Sequence, residues 1–101
     1  MNLSAEVAER LRVTREAMRL SQQDFATRAG IAPNTYNQFE QGKRLLTVAK
    51  AMALCNAHGL TLDWLFRDDP SNLPYRLASA IRALREFSTT QNEKHRVAGL
   101  R

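Results

Sequence analysis

The 101-residue sequence predicts an all-α fold, with five short helices in residues 1–69 and one further helix in residues 70–101. Three observations predict it. Apolar residues recur three and four positions apart, the spacing of one helix face, and no stretch alternates apolar with polar as a half-buried strand does. Ser or Thr stands at the head of most of these stretches, where a side-chain oxygen caps the open amides of a first turn. Glycine or proline closes them.

Taken in order, Ser4 is the candidate cap of a first helix that turns Val7, Leu11 and Thr14 or Met18 to one side, between Arg- and Glu-rich positions. Ser21 caps a second helix, with Asp24 three residues on and Phe25, Ala26 and Ala29 as its inner stripe, ended by Gly30. Pro33 is suited to the first position of a third helix, where its missing N–H costs nothing, and Tyr36 and Phe39 face inward from it. After Gln41-Gly42-Lys43-Arg44, Thr47 caps a fourth helix whose Val48, Ala51, Met52 and Cys55 share a face, ended by His58-Gly59. Thr61 caps a short fifth helix with Leu62 and Leu65 inward and Trp64 beside them, stopped by Asp68-Asp69-Pro70. Residues 70–74 have the Pro, Ser and Asn content of a linker. Helical spacing resumes through Leu77, Ile81 and Leu84, and from Ser88 the chain is polar without a sustained period, which predicts a flexible end.

Composition excludes several classes of function. No apolar run approaches the ~20 residues that span a bilayer. The single cysteine, Cys55, cannot close an internal disulfide, and the N-terminus lacks a signal-peptide stretch, so the cytoplasm is the expected compartment and no membrane partner is expected. His58 and His95 are far apart without ligand spacing, Cys55 lies on a core face, and there is no glycine-rich phosphate loop, so no enzyme, metal or cofactor is expected. The net charge of +5 is unevenly distributed: residues 1–69 hold nine basic and eight acidic side chains, residues 70–101 six and two. Charge alone therefore does not mark the first 69 residues as a polyanion binder, and particular side chains must carry that argument.

Those side chains lie around the third helix. Two helices joined by a glycine-bearing turn, the second exposing short amides, suit the major groove of duplex DNA. The run Ser21-Gln22-Gln23-Asp24-Phe25-Ala26, then Ala29-Gly30-Ile31, Tyr36, Phe39-Glu40-Gln41-Gly42-Lys43-Arg44 and Leu60-Thr61-Leu62-Asp63-Trp64-Leu65 resembles the Cro/C1-type helix-turn-helix family of phage repressors and bacterial regulators. The resemblance spans about Leu11 to Leu65. It implies a five-helix repressor-like domain, followed here by the C-terminal helix.

The resemblance also implies roles. Asn34, Thr35, Asn37 and Gln38 become candidate base contacts, chemically apt because Asn and Gln bond adenine in a bidentate manner and the Thr methyl can meet that of thymine. Gln22, Gln41, Lys43 and Arg44 become candidate phosphate contacts, and Arg15 with Glu40 a structural ion pair. Pro33 stands where some relatives carry a base-reading Gln, and proline has no donor to offer. Arg19 stands where the family usually ends the first helix with Gly, and Leu46 where Pro commonly precedes the fourth. The expected partner is double-stranded DNA, and the expected role that of a repressor on a palindromic operator.

One recognition helix contacts few base pairs, so a homodimer is expected, through Leu77, Ile81 and Leu84 if that stripe meets a second copy instead of its own core. The 70–74 linker would leave the helix, with Arg76, Arg82 and Arg85 off the stripe, at liberty to do so. Two other functions fit the same residues. An antitoxin would use the domain to regulate its operon and the tail to hold a toxin protein. A protein-interaction adaptor would suit the near-neutral charge of the first 69 residues.

Overall fold

A computed structural model describes the backbone of residues 2–99 and the side chains of residues 2–87. Six helices follow one another: α1 (Leu3–Ala17), α2 (Gln22–Arg28), α3 (Pro33–Glu40), α4 (Val48–His58), α5 (Leu62–Arg67) and α6 (Tyr75–Gly99). There is no strand among the described residues.

The caps explain where most helices begin. Ser21, Thr47 and Thr61 each accept a hydrogen bond from the N–H three residues on, at 3.0, 3.2 and 3.0 Å. Each satisfies one of the amides that a first turn leaves open. For α1 the cap is Asn2, not Ser4: Asn2 Oδ1 accepts from the Ala5 N–H at 3.1 Å. Asn caps as well as Ser does, and the earlier start adds helical hydrogen bonds, beginning with Glu6 N–H to the Asn2 carbonyl.

Three helix ends, at Arg19, Gly30 and Gly42, share one closing pattern. After α2, Gly30 takes φ +71°, its N–H bonds the Thr27 carbonyl, and the Ile31 N–H reaches back to the Ala26 carbonyl. After α1 the same pair of bonds runs from Arg19 to Glu16 and from Leu20 to Arg15, but the left-handed residue is Arg19, at φ +58°. A side chain bearing Cβ is strained in that conformation by roughly 1–2 kcal/mol.

The core is built on α1. Val7 and Leu11 share one buried cluster with Phe25 of α2, Tyr36 and Phe39 of α3 and Trp64 of α5, all fully buried. Buried hydrogen bonds connect the layers as well. The Trp64 indole donates to the Thr14 hydroxyl, which donates to the Arg10 carbonyl, while Arg10 Nε donates to the Leu65 carbonyl at 2.8 Å. His58 Nε2 donates to the Phe25 carbonyl at 2.8 Å, its ring stacked on that of Phe25.

Three further expectations are corrected. The buried face of α4 is Ala51, Leu54 and His58, while Val48 and Met52 are exposed. Both stripes have helical spacing and share Ala51, and the buried Leu54 together with the His58 bond to the Phe25 carbonyl of α2 selects the one that docks. In α5, Leu62 is exposed and Trp64 and Leu65 fill the core, because less than two turns of helix present one narrow face inward.

The third correction concerns the linker, which does not release α6. Leu73 is buried, Ile81 is 3% exposed, Leu77 and Ala78 pack beside them, and α6 lies along α1. Arg85, expected to be at liberty, bonds Glu9 at 2.7 Å and Asp68 at 3.0 Å and covers the Trp64 ring. The backbone of α6 is helical through Gly99, past the last apolar period at Phe87. The flexible end expected from Ser88 falls on side chains outside the described residues, as do residues 100 and 101.

Since Arg19 is exposed and its role at the helix end is conformational, Arg19→Gly should relieve strain. Allowing for the greater freedom of glycine in the unfolded chain, a gain of about 0.5–1 kcal/mol is expected in urea unfolding. A loss would show that the Arg19 side chain holds the turn together.

Candidate nucleic-acid interface

Residues at i and i+3 on α3 divide its surface. Tyr36 and Phe39 are 0% and 1% exposed, which turns Asn34 and Gln38 fully outward and leaves Thr35 and Asn37 half-exposed at the flanks. None of these four side chains makes a hydrogen bond within the chain among the described residues. The candidate base contacts thus form a surface of unengaged amides and one hydroxyl, beginning one residue after Pro33. Pro33 occupies the first helical position, and Ala32 provides no side-chain cap.

The end of α3 is held by one carboxylate. Glu40, its side chain 4% exposed, accepts from Arg15 Nε at 3.0 Å and from Arg15 Nη2 at 2.8 Å. Gln22 Nε2 donates to the same carboxylate at 3.1 Å, and Arg15 Nη1 donates to the Leu20 carbonyl at 3.0 Å. Gln22 therefore braces α3 directly from the start of α2. Burial works to raise the Glu40 pKa, but the hydrogen bonds from Arg15, with that from Gln22, bring it below the ordinary value of 4.5. The bond to Glu40 raises the Arg15 pKa, so the pair is fully charged at neutral pH. Beside it the buried Tyr36 hydroxyl lies outside hydrogen-bond geometry with any partner among the described residues, and burial followed by the nearby carboxylate pushes its pKa well up.

The loop after α3 folds back on that helix. The Lys43 and Arg44 amides both donate to the Gln38 carbonyl, at 3.0 and 3.3 Å, across Gly42, which takes φ +74°. Leu46 anchors the loop in the core, and the Arg44 guanidinium lies 5.7 Å from the centre of the Phe39 ring. Gln41, Lys43 and Arg44 are all exposed, so two cations and an amide flank the end of the α3 surface. The fold thereby gathers Asn34, Thr35, Asn37, Gln38, Gln41, Lys43 and Arg44 around one helix. Gln22 lies at its base, half-buried.

Leu77, Ile81 and Leu84 do not join this surface. Ile81 lies within the chain's own core, Leu77 packs against it, and Leu84 is half-buried. The sequence also conceals one participant, the Leu20 carbonyl that takes the third Arg15 bond. A backbone acceptor leaves no residue signature, and only the left-handed turn at Arg19 brings it within reach.

Among the described residues no helix is long and apolar enough to cross a membrane. A family model described as Helix-turn-helix matches residues 11–65, from mid-α1 to α5, which includes Arg15, Gln22 and Glu40, the whole of α3 and the loop after it. No curated protein and no solved structure matches the chain.

Because the folded Glu40 pKa is lowered, the contribution of the pair is complete above the unfolded carboxylate value of 4.5 and is lost as pH falls through the folded pKa. Glu40→Gln should therefore lower stability at pH 7 and flatten the acid limb of a stability-against-pH curve. Glu40→Ala should cost about 3–5 kcal/mol in chemical unfolding at pH 7, since it strands a mostly buried guanidinium. An acid limb that is the same with and without the carboxylate would remove Glu40 from this account.

Proposed function

Since the chain belongs to the Cro/C1-type helix-turn-helix family of DNA-binding transcription regulators, we propose that it acts as a repressor, occupying a palindromic operator as a dimer. The observation that carries this reading is the set of unengaged polar side chains on α3, fixed in direction by the buried carboxylate at its end. α3 enters the major groove, with Asn34, Asn37 and Gln38 bonding base edges and Thr35 touching a methyl group. Lys43, Arg44 and Gln41 hold the backbone phosphates at the groove's edge, and Gln22 adds one at the base of α3.

The near-neutral charge of residues 1–69 agrees with this division of work. Two cations in the loop supply local attraction, and discrimination falls to neutral amides. Repression requires only that the bound protein deny the site to polymerase. Two copies double the few base pairs that one α3 can reach, with half-site centres about 10 base pairs apart or a multiple of that.

Selection from random duplex DNA should return a palindrome. On that sequence Asn37→Ala or Gln38→Ala should each cost ~1–3 kcal/mol of binding and little on unrelated DNA. Lys43→Ala and Arg44→Ala should weaken every sequence alike and reduce the slope of log K against log salt by roughly one each. Equal losses on selected and unrelated DNA for the amide variants would end the case for base readout, and unchanged slopes would remove the two cations from the phosphate set.

A further inference from the structure

Residues 75–87 of α6 carry two apolar stripes, one packed on the core and one partly open to solvent. Leu77, Ala78 and Ile81 pack inward and Arg85 closes that side. The second stripe is Ala80, Ala83, Leu84 and Phe87, at i, i+3, i+4 and i+7, about a third of a turn around the helix from the first. Ala80 and Leu84 are half-buried and Ala83 is exposed, while Phe87 stands 63% open to solvent.

Against this second stripe lies a cavity of about 270 Å³. One wall is Glu16, Ala17 and Arg19 at the end of α1, and the other is Ala80, Ala83 and Leu84. The alanines make the hollow, and the opposite charges of Glu16 and Arg19 leave its rim without net charge. Phe87 does not line it.

A projecting aromatic ring and a hollow of side-chain size therefore sit one to two turns apart along one face of one helix. We propose that two copies of the chain pair α6 against α6 in antiparallel fashion, each Phe87 seated in the other's cavity between Ala80, Ala83 and the end of α1. This deepens the dimeric reading given above and rests on it. An antiparallel pair centred between Ala83 and Leu84 puts residue 87 of each copy opposite residue 80 of the other, where the small side chain leaves room.

The same arrangement argues for a second copy over any other occupant. Knob and hole on a single stripe satisfy a two-fold contact, in which each surface meets its own duplicate and the assembly closes at two. Alanine at the contact lets the helix axes approach to the lower end of the usual 8–10 Å. A buried Phe removes roughly 150–250 Å² from water, so two rings alone fall short of the ~1,200–2,000 Å² of a stable interface. The dimer is accordingly concentration-dependent, and a DNA duplex that presents two half-sites adds to its stability.

Sedimentation equilibrium of the full chain tests the pairing without DNA. The parent should move from the mass of one chain towards that of two as concentration rises, while Phe87→Ala, which removes the knob, and Ala80→Gln, which fills the hole, should each associate about tenfold more weakly or worse. At concentrations low enough that the parent is a single chain, thermal melts of Phe87→Ala should match it, because the ring is mostly exposed there.

An equimolar mixture of the two variants should regain association, because it restores one knob in one hole and sets the shortened side chain against the filled site. A parent that stays at one mass, a Phe87→Ala protein that associates like the parent, or a mixture that recovers nothing would each overturn the proposal. Binding of the parent to a duplex of about 30 base pairs is measured beside it, so that failure of DNA recognition is told apart from failure of the pairing.

Discussion

At the Glu40 carboxylate four segments of the chain come together: the end of α3 itself, α1 through Arg15, α2 through Gln22, and the turn between α1 and α2 through the Leu20 carbonyl that shares Arg15. A buried ion pair contributes little net stability over an apolar replacement, since desolvation of both charges offsets their attraction. What it contributes is direction. The Arg15 fork and the Gln22 amide fix the last turn of α3 at defined distances from two other helices, and with Tyr36 and Phe39 in the core they set the direction of the eight-residue helix.

This matters because α2, α3 and α5, at seven, eight and six residues, are too short to be stable alone. Their orientation is a tertiary property, and the core supplies it partly with directional bonds. Trp64, Thr14, Arg10 and Leu65 link α5 to α1, and His58 links α4 to the Phe25 carbonyl of α2. With the inner face of α3 occupied by Tyr36 and Phe39, its amides have no partner among the described residues and lie on the outside of a rigid support. The loop that places Lys43 and Arg44 is held by the Gln38 carbonyl and the buried Leu46, so the cations keep a set relation to that same helix.

α6 is joined to this support on both sides of its first turns. Arg85 connects Glu9 of α1 with Asp68 at the end of α5 and lies over Trp64, and Leu73 anchors the segment that precedes α6. A surface carried by α6 therefore moves with the helices that hold α3. Any second copy bound there would have its α3 at a set distance and angle, as reading two half-sites requires.

Much of this was legible in the residues. Ser21, Thr47 and Thr61 as caps, Gly30 after α2, Pro33 at the start of α3 and the inward pair Tyr36 and Phe39 are encoded within three or four positions of chain, where a side chain and the backbone it bonds are neighbours. The surface amides of α3 follow from the same spacing, since whatever is not at the positions of Tyr36 and Phe39 must face away. Between two stripes that helical spacing allows equally, local sequence cannot choose. Val48 and Met52 against Leu54 and His58 in α4, and an α6 set free against one packed on α1, were decided by which stripe the rest of the chain could meet. The Leu20 carbonyl, the grip of Arg85 and the cavity beside Ala83 depend on residues distant in sequence arriving at one place. Burial and directional bonding between distant segments exist only once the chain has folded, and that is the physical reason why the tertiary structure alone decided them.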